Sequence, residues 1–256
     1  MGPEKAGSFQ QGSLGGDAVP RIARAVAVNV PHHVTQRGNN RQAVFFCEED
    51  RQMYLSLMEN YSGKFGVHMI GYCLMTNHVH WVLIPEAPDS LARALGSAHS
   101  RYSQYLNLRH GSCGHQWQNR FFSCPLDPPH LWTALRYIER NPVRAGMVEC
   151  AWDYVWSSAS AHVTGQDPSG LLDLELWQGA FTPAEWQQML NQPDDATVAK
   201  HLKEATLRGR PWGSNAFVIR LEDELGRRLR AWPIGRPRKE LPVAGFLNGQ
   251  QRRPRK

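Results

Sequence analysis

The chain has 256 residues and a formal net charge of +6, which is enough length for a sizeable core, and it has no apolar run long enough to span a membrane. Its five cysteines form no Cys-x-x-Cys pair, so we expect reduced and mostly buried thiols rather than disulfides or a zinc site. The first 20 residues lack the apolar centre of a secretory signal, and we expect a cytoplasmic, nucleoid-associated protein.

The predicted elements alternate between strands and helices as far as residue 141. Strands are predicted at 31–36, 67–75, 77–84 and 119–126, and the middle two form a hairpin. Helices are predicted at 49–64, at 89–108, and from Pro128 until Asn141-Pro142, because the residue before proline disfavours the helical conformation. This order predicts an α+β fold with a mostly antiparallel sheet and helices on one face.

The C-terminal part of the chain differs in composition. Residues 151–199 contain seven acidic residues and no Lys or Arg, whereas residues 200–256 contain 15 Lys and Arg against five acidic residues. A basic end of this kind indicates a polyanionic partner, most often nucleic acid, and a solvated tail is the alternative. We expect Trp177, Trp186 and Met189 to be packing residues of this part.

These patterns divide the chain into four predicted parts. They are a disordered leader at 1–20, a catalytic domain at 21–162, an acidic and then basic helical extension at 163–231, and a basic disordered tail at 232–256.

The most informative motif is His78-Val79-His80, which lies in a predicted strand. Side chains alternate along a strand, so the two histidines share one face and Val79 points to the other. Two imidazoles on one strand form half of a divalent-metal site, and surface or satisfied core histidines are the alternative. An unpartnered polar group in a central strand costs free energy, and a metal would account for the pair.

A second pattern lies in the third helix. Tyr137 and Asn141 are four residues apart and therefore share a helical face. A tyrosine hydroxyl is a candidate nucleophile, and an asparagine carbonyl oxygen is a candidate metal ligand. The alternative is an aromatic core anchor followed by an ordinary helix end.

Four blocks of the sequence resemble the single-tyrosine HUH transposases in their order and spacing, and the closest branch is the REP-associated tyrosine transposases. The blocks are HHVTQRG at 32–38, LMTNHVH at 74–80, HQWQNRF at 115–121 and YIERNPVRAG at 137–146, with Trp156-Ser157-Ser158 after them. The resemblance covers roughly residues 21–162. It implies a ferredoxin-like antiparallel sheet with helices packed on it.

The resemblance also implies a site. His78 and His80 match the family's metal ligands, Asn141 completes the metal site, and Tyr137 matches the nucleophile. The implied metal is Mg²⁺ or Mn²⁺, with no nucleotide cofactor, although two imidazoles suit Mn²⁺ or Zn²⁺ at least as well. Tyr102 and Tyr105 are competing nucleophile candidates, which we interpret as packing or DNA-contact residues.

The implied function is cleavage and rejoining of single-stranded or hairpin DNA through a covalent 5′-phosphotyrosine. One alternative is a non-catalytic DNA-binding regulator on the same fold. Another is a metal-dependent nuclease in which water attacks. A monomer and a homodimer both remain open.

Basic and aromatic residues are the candidate DNA contacts. Phosphate contacts are expected from Arg37, Arg41, Arg120, Arg140 and Arg144. The tail segment Gly235-Arg236-Pro237-Arg238-Lys239 resembles the core of an AT-hook, which reads the minor groove, and a generic polybasic tail is the alternative. Base stacking is expected from His115, Trp117 and Phe121, and a core role for the tryptophan is the alternative.

Overall fold

The structure is a computed structural model, and it describes residues 24–230. The predicted leader and tail, with Arg236, Arg238 and Lys239, lie outside the described residues. No helix of the described part is long and apolar enough to cross a membrane.

A four-stranded antiparallel sheet forms the centre of the fold. Its strands are β1 (His32–Arg37), β2 (Val67–Met75), β3 (His78–Pro85) and β4 (Phe122–Pro125), in the order β2-β3-β1-β4. The predicted hairpin is confirmed, since β2 pairs with β3 across Thr76 and Asn77. The register places Thr35 opposite His80 in the centre of the sheet. The last strand is shorter than predicted.

Two long helices cover one face of the sheet. They are α1 (Glu48–Phe65) and α2 (Ser90–His110). Helix α1 begins where the Asp50 carboxylate accepts hydrogen bonds from the backbone N–H groups of Phe46 and Cys47. Strand residues Val79 and Trp81 pack in the same buried cluster as Tyr54 of α1, so this face holds the larger core.

A third helix lies on the opposite face and ends with a break. Helix α3 (Pro128–Glu139) begins at Asp127, whose side chain accepts from the His130 N–H, and α4 (Asn141–Arg144) follows Arg140. Pro142 lies in the first turn of α4, where its missing N–H costs no hydrogen bond. Gly71 permits close packing here, because a Cβ at this position would lie 2.2 Å from the Leu135 side chain.

Helices therefore cover both faces of the sheet, and the prediction of helices on one face was wrong. The physical reason is visible in β2, where Ile70, Cys73 and Met75 pack against α3 while Met69 and Leu74 pack against the α1 and α2 side. A strand that is buried on both sides carries apolar residues at successive positions.

Within the described residues, five further helices follow α4, and the first three of them add to the layer on the α3 side of the sheet. They are α5 (Ala159–Thr164), α6 (Glu175–Gln178), α7 (Pro183–Asn191), α8 (Ala196–Arg208) and α9 (Asn215–Leu225). Trp177 and Trp186 are fully buried against α3, and Met189 packs at the edge of the same cluster, as predicted. Leu202 of α8 packs with Cys124 of β4. The predicted domain boundaries stay a prediction, although buried clusters continue from the sheet into the extension.

Candidate active site

A cavity of about 350 Å³ lies between the sheet, α3, α4 and α8. Six residues singled out in the sequence line it: Arg37, Arg41, His78, His80, Tyr137 and Asn141. Its other lining residues are His33, Thr35, Gln118, Phe122, Lys203, Thr206 and Leu207. No acidic side chain of the described residues lines the cavity, so its surface suits an anion.

The histidine pair lies on the face of β3 that the alternation of side chains predicts. The ring centroids of His78 and His80 are 5.0 Å apart, whereas Val79 is fully buried in the core on the other face. The neighbouring strand β1 adds His33, whose ring is stacked on His80 at a centroid distance of 5.1 Å. Three imidazoles therefore meet on the sheet beneath the cavity.

Tyr137 faces this histidine group from α3. Its ring centroid is 6.2 Å from that of His80 in an edge-to-face arrangement. The Arg144 guanidinium lies 4.0 Å from the centre of the tyrosine ring and donates to the Tyr137 carbonyl at 2.6 Å. A single chain thus brings the tyrosine and the histidine pair together, and the arrangement does not require a helix from a second copy.

Both histidines of the motif are neutral in this environment. Burial and the nearby Arg37 lower the pKa of His78 to about 4. Burial, followed by the charges of His78 and His33, holds the pKa of His80 well below its usual value. A metal ion binds the neutral form of imidazole, so the protonation state favours metal binding at ordinary pH.

Asn77 determines the tautomer of His78. Its side-chain N–H₂ donates to the Arg41 carbonyl at 2.9 Å, so its amide oxygen is the atom 2.7 Å from His78 Nδ1. An amide oxygen can only accept, and Nδ1 must carry the proton. His78 Nε2 consequently keeps the lone pair that a metal requires.

Ligands other than the two histidines are less clearly provided. Within the described range, no group of three or more His, Cys, Asp or Glu side chains is arranged to hold a metal ion. The Asn141 amide oxygen accepts a hydrogen bond from Arg144, and the Asn141 amide nitrogen is buried without a partner. The two imidazoles fit a divalent cation, and the Asn141 oxygen, which has a second lone pair besides the one that faces Arg144, fits as a third ligand.

The loop after β1 brings positive charge to the cavity. Gly38 is required for its tight path, because a Cβ there would lie 2.2 Å from the Gln42 carbonyl oxygen. Asn40 and Arg41 adopt the left-handed conformation, with φ of 50° and 62°, which is uncommon for residues other than glycine. This strained turn places Arg41 beside Arg37 at the cavity.

The other candidate DNA contacts lie elsewhere. Arg120 and His115 line a separate cavity beside α2. Trp117 and Phe121 are buried, so the core alternative holds for the tryptophan, and neither ring is free to stack on a base in this conformation.

The two competing tyrosines lie on the α1 and α2 side of the sheet. Tyr102 is fully buried and donates to the Val44 carbonyl, and Tyr105 donates to Asp50.

Arg140 and Arg144 are engaged by the extension. Asp194, between α7 and α8, lies 3.0 Å from Arg140 and 3.6 Å from Arg144. The same carboxylate lies 3.3 Å from Arg136, which was not singled out in the sequence. Phosphate contact by Arg140 and Arg144 would compete with Asp194 for these guanidinium groups.

Sequence reasoning gave no role to His33, Lys203 or Thr206. His33 stands in the first recognised block, but the strand register that sets it beside His80 is not visible in the sequence. Lys203 and Thr206 belong to α8, whose position over β4 depends on tertiary packing. No spacing rule links residues so far apart in the chain.

Comparison with known proteins finds relatives of one part of the chain. Residues 27–141 match the family model described as transposase, IS200-like. A curated protein of Haemophilus influenzae, named as a REP-associated tyrosine transposase, is 26% identical over 146 residues, which cover 51% of this chain and 81% of the relative. The matched family segment contains both motif histidines, Tyr137 and Asn141, and it ends before α8.

Two solved structures are similar to this chain to different degrees. A REP-associated tyrosine transposase bound to a REP hairpin superposes with a TM-score of 0.50 at 18% identity, covering 59% of this chain and 89% of that one. A transposase from Deinococcus radiodurans gives a TM-score of 0.33 at 17% identity, covering 46% and 95%. The first likeness confirms the predicted sheet with helices packed on it.

Proposed function

We propose that residues 27–141, which match the IS200-like transposase model, form a domain of that family, and that this chain cleaves and rejoins single-stranded or hairpin DNA. The observation that carries the proposal is the cavity itself. It holds a tyrosine, a neutral histidine pair and an amide, and its lining residues within 24–230 include basic but no acidic side chains. A DNA-strand transferase needs a nucleophile and a phosphate-binding surface at one place.

In this proposal the Tyr137 hydroxyl oxygen attacks the scissile phosphorus while the bond to the 3′-oxygen breaks. The products are a 5′-phosphotyrosine and a free 3′-hydroxyl; the tyrosine loses a proton and the departing oxygen gains one. Attack by a 3′-hydroxyl on the phosphotyrosine reverses the step and rejoins the DNA. The ester bond is conserved throughout, so the reaction needs no nucleotide.

His78 and His80 would hold a divalent metal ion, Mg²⁺ or Mn²⁺, and the Asn141 amide oxygen would be the third ligand. Such an ion supplies positive charge at the scissile phosphate. Two imidazole ligands favour Mn²⁺ over Mg²⁺, because Mg²⁺ prefers oxygen ligands.

Basic residues around the cavity would hold the DNA backbone. Arg37, Arg41 and Lys203 line it from two sides and would contact phosphates near the cleaved bond. The solved relative bound to a REP hairpin supports a hairpin substrate. Contacts from Arg236, Arg238 and Lys239 stay a prediction, in which the tail adds minor-groove binding.

A labelled-oligonucleotide assay tests the proposal. The full chain is incubated with Mn²⁺ and a pool of hairpins with randomised single-stranded flanks, and the products are separated under denaturing conditions. A 5′-phosphotyrosine keeps the downstream fragment, so a 3′-end label should remain on the protein and a 5′-end label should not. Tyr137→Phe should abolish the adduct, and Tyr105→Phe, on the opposite side of the sheet, should retain it.

Each other outcome selects a different function. An adduct that persists in Tyr137→Phe would show that another residue is the nucleophile. Cleavage without an adduct would favour the nuclease that uses water. Binding without cleavage would favour the regulator.

A further inference from the structure

A chain of hydrogen bonds leads from the extension to the histidine pair. The Thr206 hydroxyl of α8 donates to the Leu202 carbonyl at 2.7 Å. His33 Nδ1 lies 2.7 Å from the same hydroxyl oxygen, and His33 Nε2 lies 2.9 Å from His80 Nδ1. Thr206, His33 and His80 are all buried, so water does not compete with these bonds.

The direction of the protons follows from the carbonyl end. A carbonyl oxygen only accepts, and the Thr206 hydroxyl has a single proton, which it gives to Leu202, so the Cys124 thiol 3.2 Å away donates to the hydroxyl oxygen. The hydroxyl oxygen therefore accepts from His33 Nδ1–H. His33 Nε2 is then an acceptor, and His80 Nδ1 must donate to it. His80 Nε2 is left with a free lone pair.

We propose that Thr206, acting through His33, is a positioning residue that holds His80 in the tautomer able to bind a metal through Nε2. The inference rests on the proposed function for the identity of His80 as a ligand. A histidine ligand commonly donates its second ring N–H to a fixed acceptor, which sets the tautomer and the ring orientation. Here the fixed acceptor is another histidine, and the group that orients it belongs to the extension.

Helix α8 thereby takes part in the site through Thr206. Helix α8 lies beyond the segment that matches the transposase family, 27–141. Asn77 performs the corresponding task for His78 from within that segment. The two halves of the potential metal site are thus oriented by different parts of the chain.

If the hydrogen bonds between Thr206, His33 and His80 ran in the opposite direction, the consequence for His80 would be different. If the Thr206 hydroxyl donated to His33 Nδ1, then His33 Nε2 would carry a proton and donate to His80 Nδ1. His80 Nε2 would then be protonated and could not bind a metal. The tautomer of His80 decides between the two directions.

The first experiment measures the tautomers in the metal-free full chain. Long-range proton–nitrogen spectra of ¹⁵N-histidine-labelled protein distinguish Nδ1–H from Nε2–H for each ring. We expect Nδ1–H for both His33 and His80, with the same result in Thr206→Ser. Thr206→Val should alter the ring signals of both histidines, because it removes the acceptor of His33. Nε2–H on His80 in the unmodified chain would overturn the proposal.

The second experiment measures Mn²⁺ binding by calorimetry with the metal alone. Thr206→Val should weaken binding by about 10–100-fold, and Thr206→Ser should restore it. Thr197→Val, at an exposed position on the same helix, is the matched control and should bind Mn²⁺ as the unmodified chain does. Equal affinity in Thr206→Val would contradict the proposal.

The two experiments separate this inference from the proposed function. If the unmodified chain binds no Mn²⁺, the metal assignment fails, and the tautomer measurement still decides whether Thr206 orients His80. If Mn²⁺ binds and the tautomers do not respond to Thr206→Val, the metal assignment stands and the positioning role fails.

Discussion

At the residue scale, the site depends on which ring nitrogens carry protons. His78 Nδ1 faces the Asn77 amide, which donates to the Arg41 carbonyl. His80 Nδ1 faces His33, and that second series of hydrogen bonds ends at the Leu202 carbonyl. Backbone carbonyls only accept, so a bond to a carbonyl at the far end favours Nδ1–H on both rings. These bonds therefore predict a pair of histidines with both Nε2 atoms available, and the tautomer measurement tests that prediction for His80.

Replacing Asn77 tests whether its amide oxygen orients His78. Asn77→Leu removes the acceptor of His78 Nδ1–H, and Mn²⁺ affinity should fall by about 10–100-fold. Asn77→Asp keeps an oxygen at this position and should retain most of the affinity. Calorimetric titration of both variants with Mn²⁺ measures the difference. If the leucine and aspartate variants bind Mn²⁺ equally, Asn77 does not orient His78.

Much of the site, but not all of it, could be predicted from the sequence. The spacing of His78 and His80 on a strand, and of Tyr137 and Asn141 on a helix, predicts two pairs that share faces, and all four line one cavity. Their roles stay predictions. His33 could not be assigned, because its contact with His80 depends on the strand register.

At the element scale, α3 and α4 are held in place by the extension. Asp194 faces three arginines along these helices, at distances of 3.0–3.6 Å. The Glu139 carboxylate at the end of α3 is fully buried and accepts from His162 at 2.5 Å and from Trp186 at 2.8 Å. Tyr137 therefore stands on a helix that is fixed from the side away from the sheet.

Replacing Asp194 tests this attachment. Asp194→Asn leaves three nearby guanidinium groups without their shared carboxylate, and the free energy of unfolding should fall by about 2 kcal/mol. Hydrogen exchange of the segment between α7 and α8 should become faster. Asp195→Asn is the matched control, since asparagine also caps a helix well and Asp195 caps α8. Equal exchange rates in the two variants would show that the Asp194 carboxylate does not hold the segment.

The elements themselves were largely predictable, and their packing was not. Periodicity gave α1, α2 and the β2–β3 hairpin to within a few residues. The same periodicity cannot say which helix covers which face of the sheet. The cover on the second face comes from α3 and from extension residues such as Trp177 and Trp186, which are distant from the sheet in the sequence.

At the scale of the whole molecule, the acidic part (151–199) and the basic part (200–256) of the chain contribute charges at different places. The acidic part supplies Asp194 to the arginines of α3 and α4, and the basic part supplies Lys203 to the cavity. The charge asymmetry seen in the sequence therefore contributes to packing as well as to any DNA binding.

Buried neutral histidines are a second property of the whole molecule. Burial lowers the pKa of His32 to about 4 and those of His33 and His99 to about 3. An unfolded chain binds protons at these histidines near pH 6.5, so below that pH it holds more protons than the folded chain. Stability should therefore be fully present above about pH 6.5 and should fall as the pH decreases towards the folded pKa values.

Urea unfolding at pH 7.5 and pH 5.5 measures this loss. Each of the three histidines should contribute about 1 kcal/mol to the decrease in the free energy of unfolding. His99→Gln, at a site that bonds the Tyr54 hydroxyl, should reduce the decrease by that amount. His115→Gln, at an exposed position, should leave it unchanged. If stability at pH 5.5 equals that at pH 7.5, these histidines are accessible to protons in the folded chain, and the buried hydrogen bonds that orient His80 would be open to solvent as well.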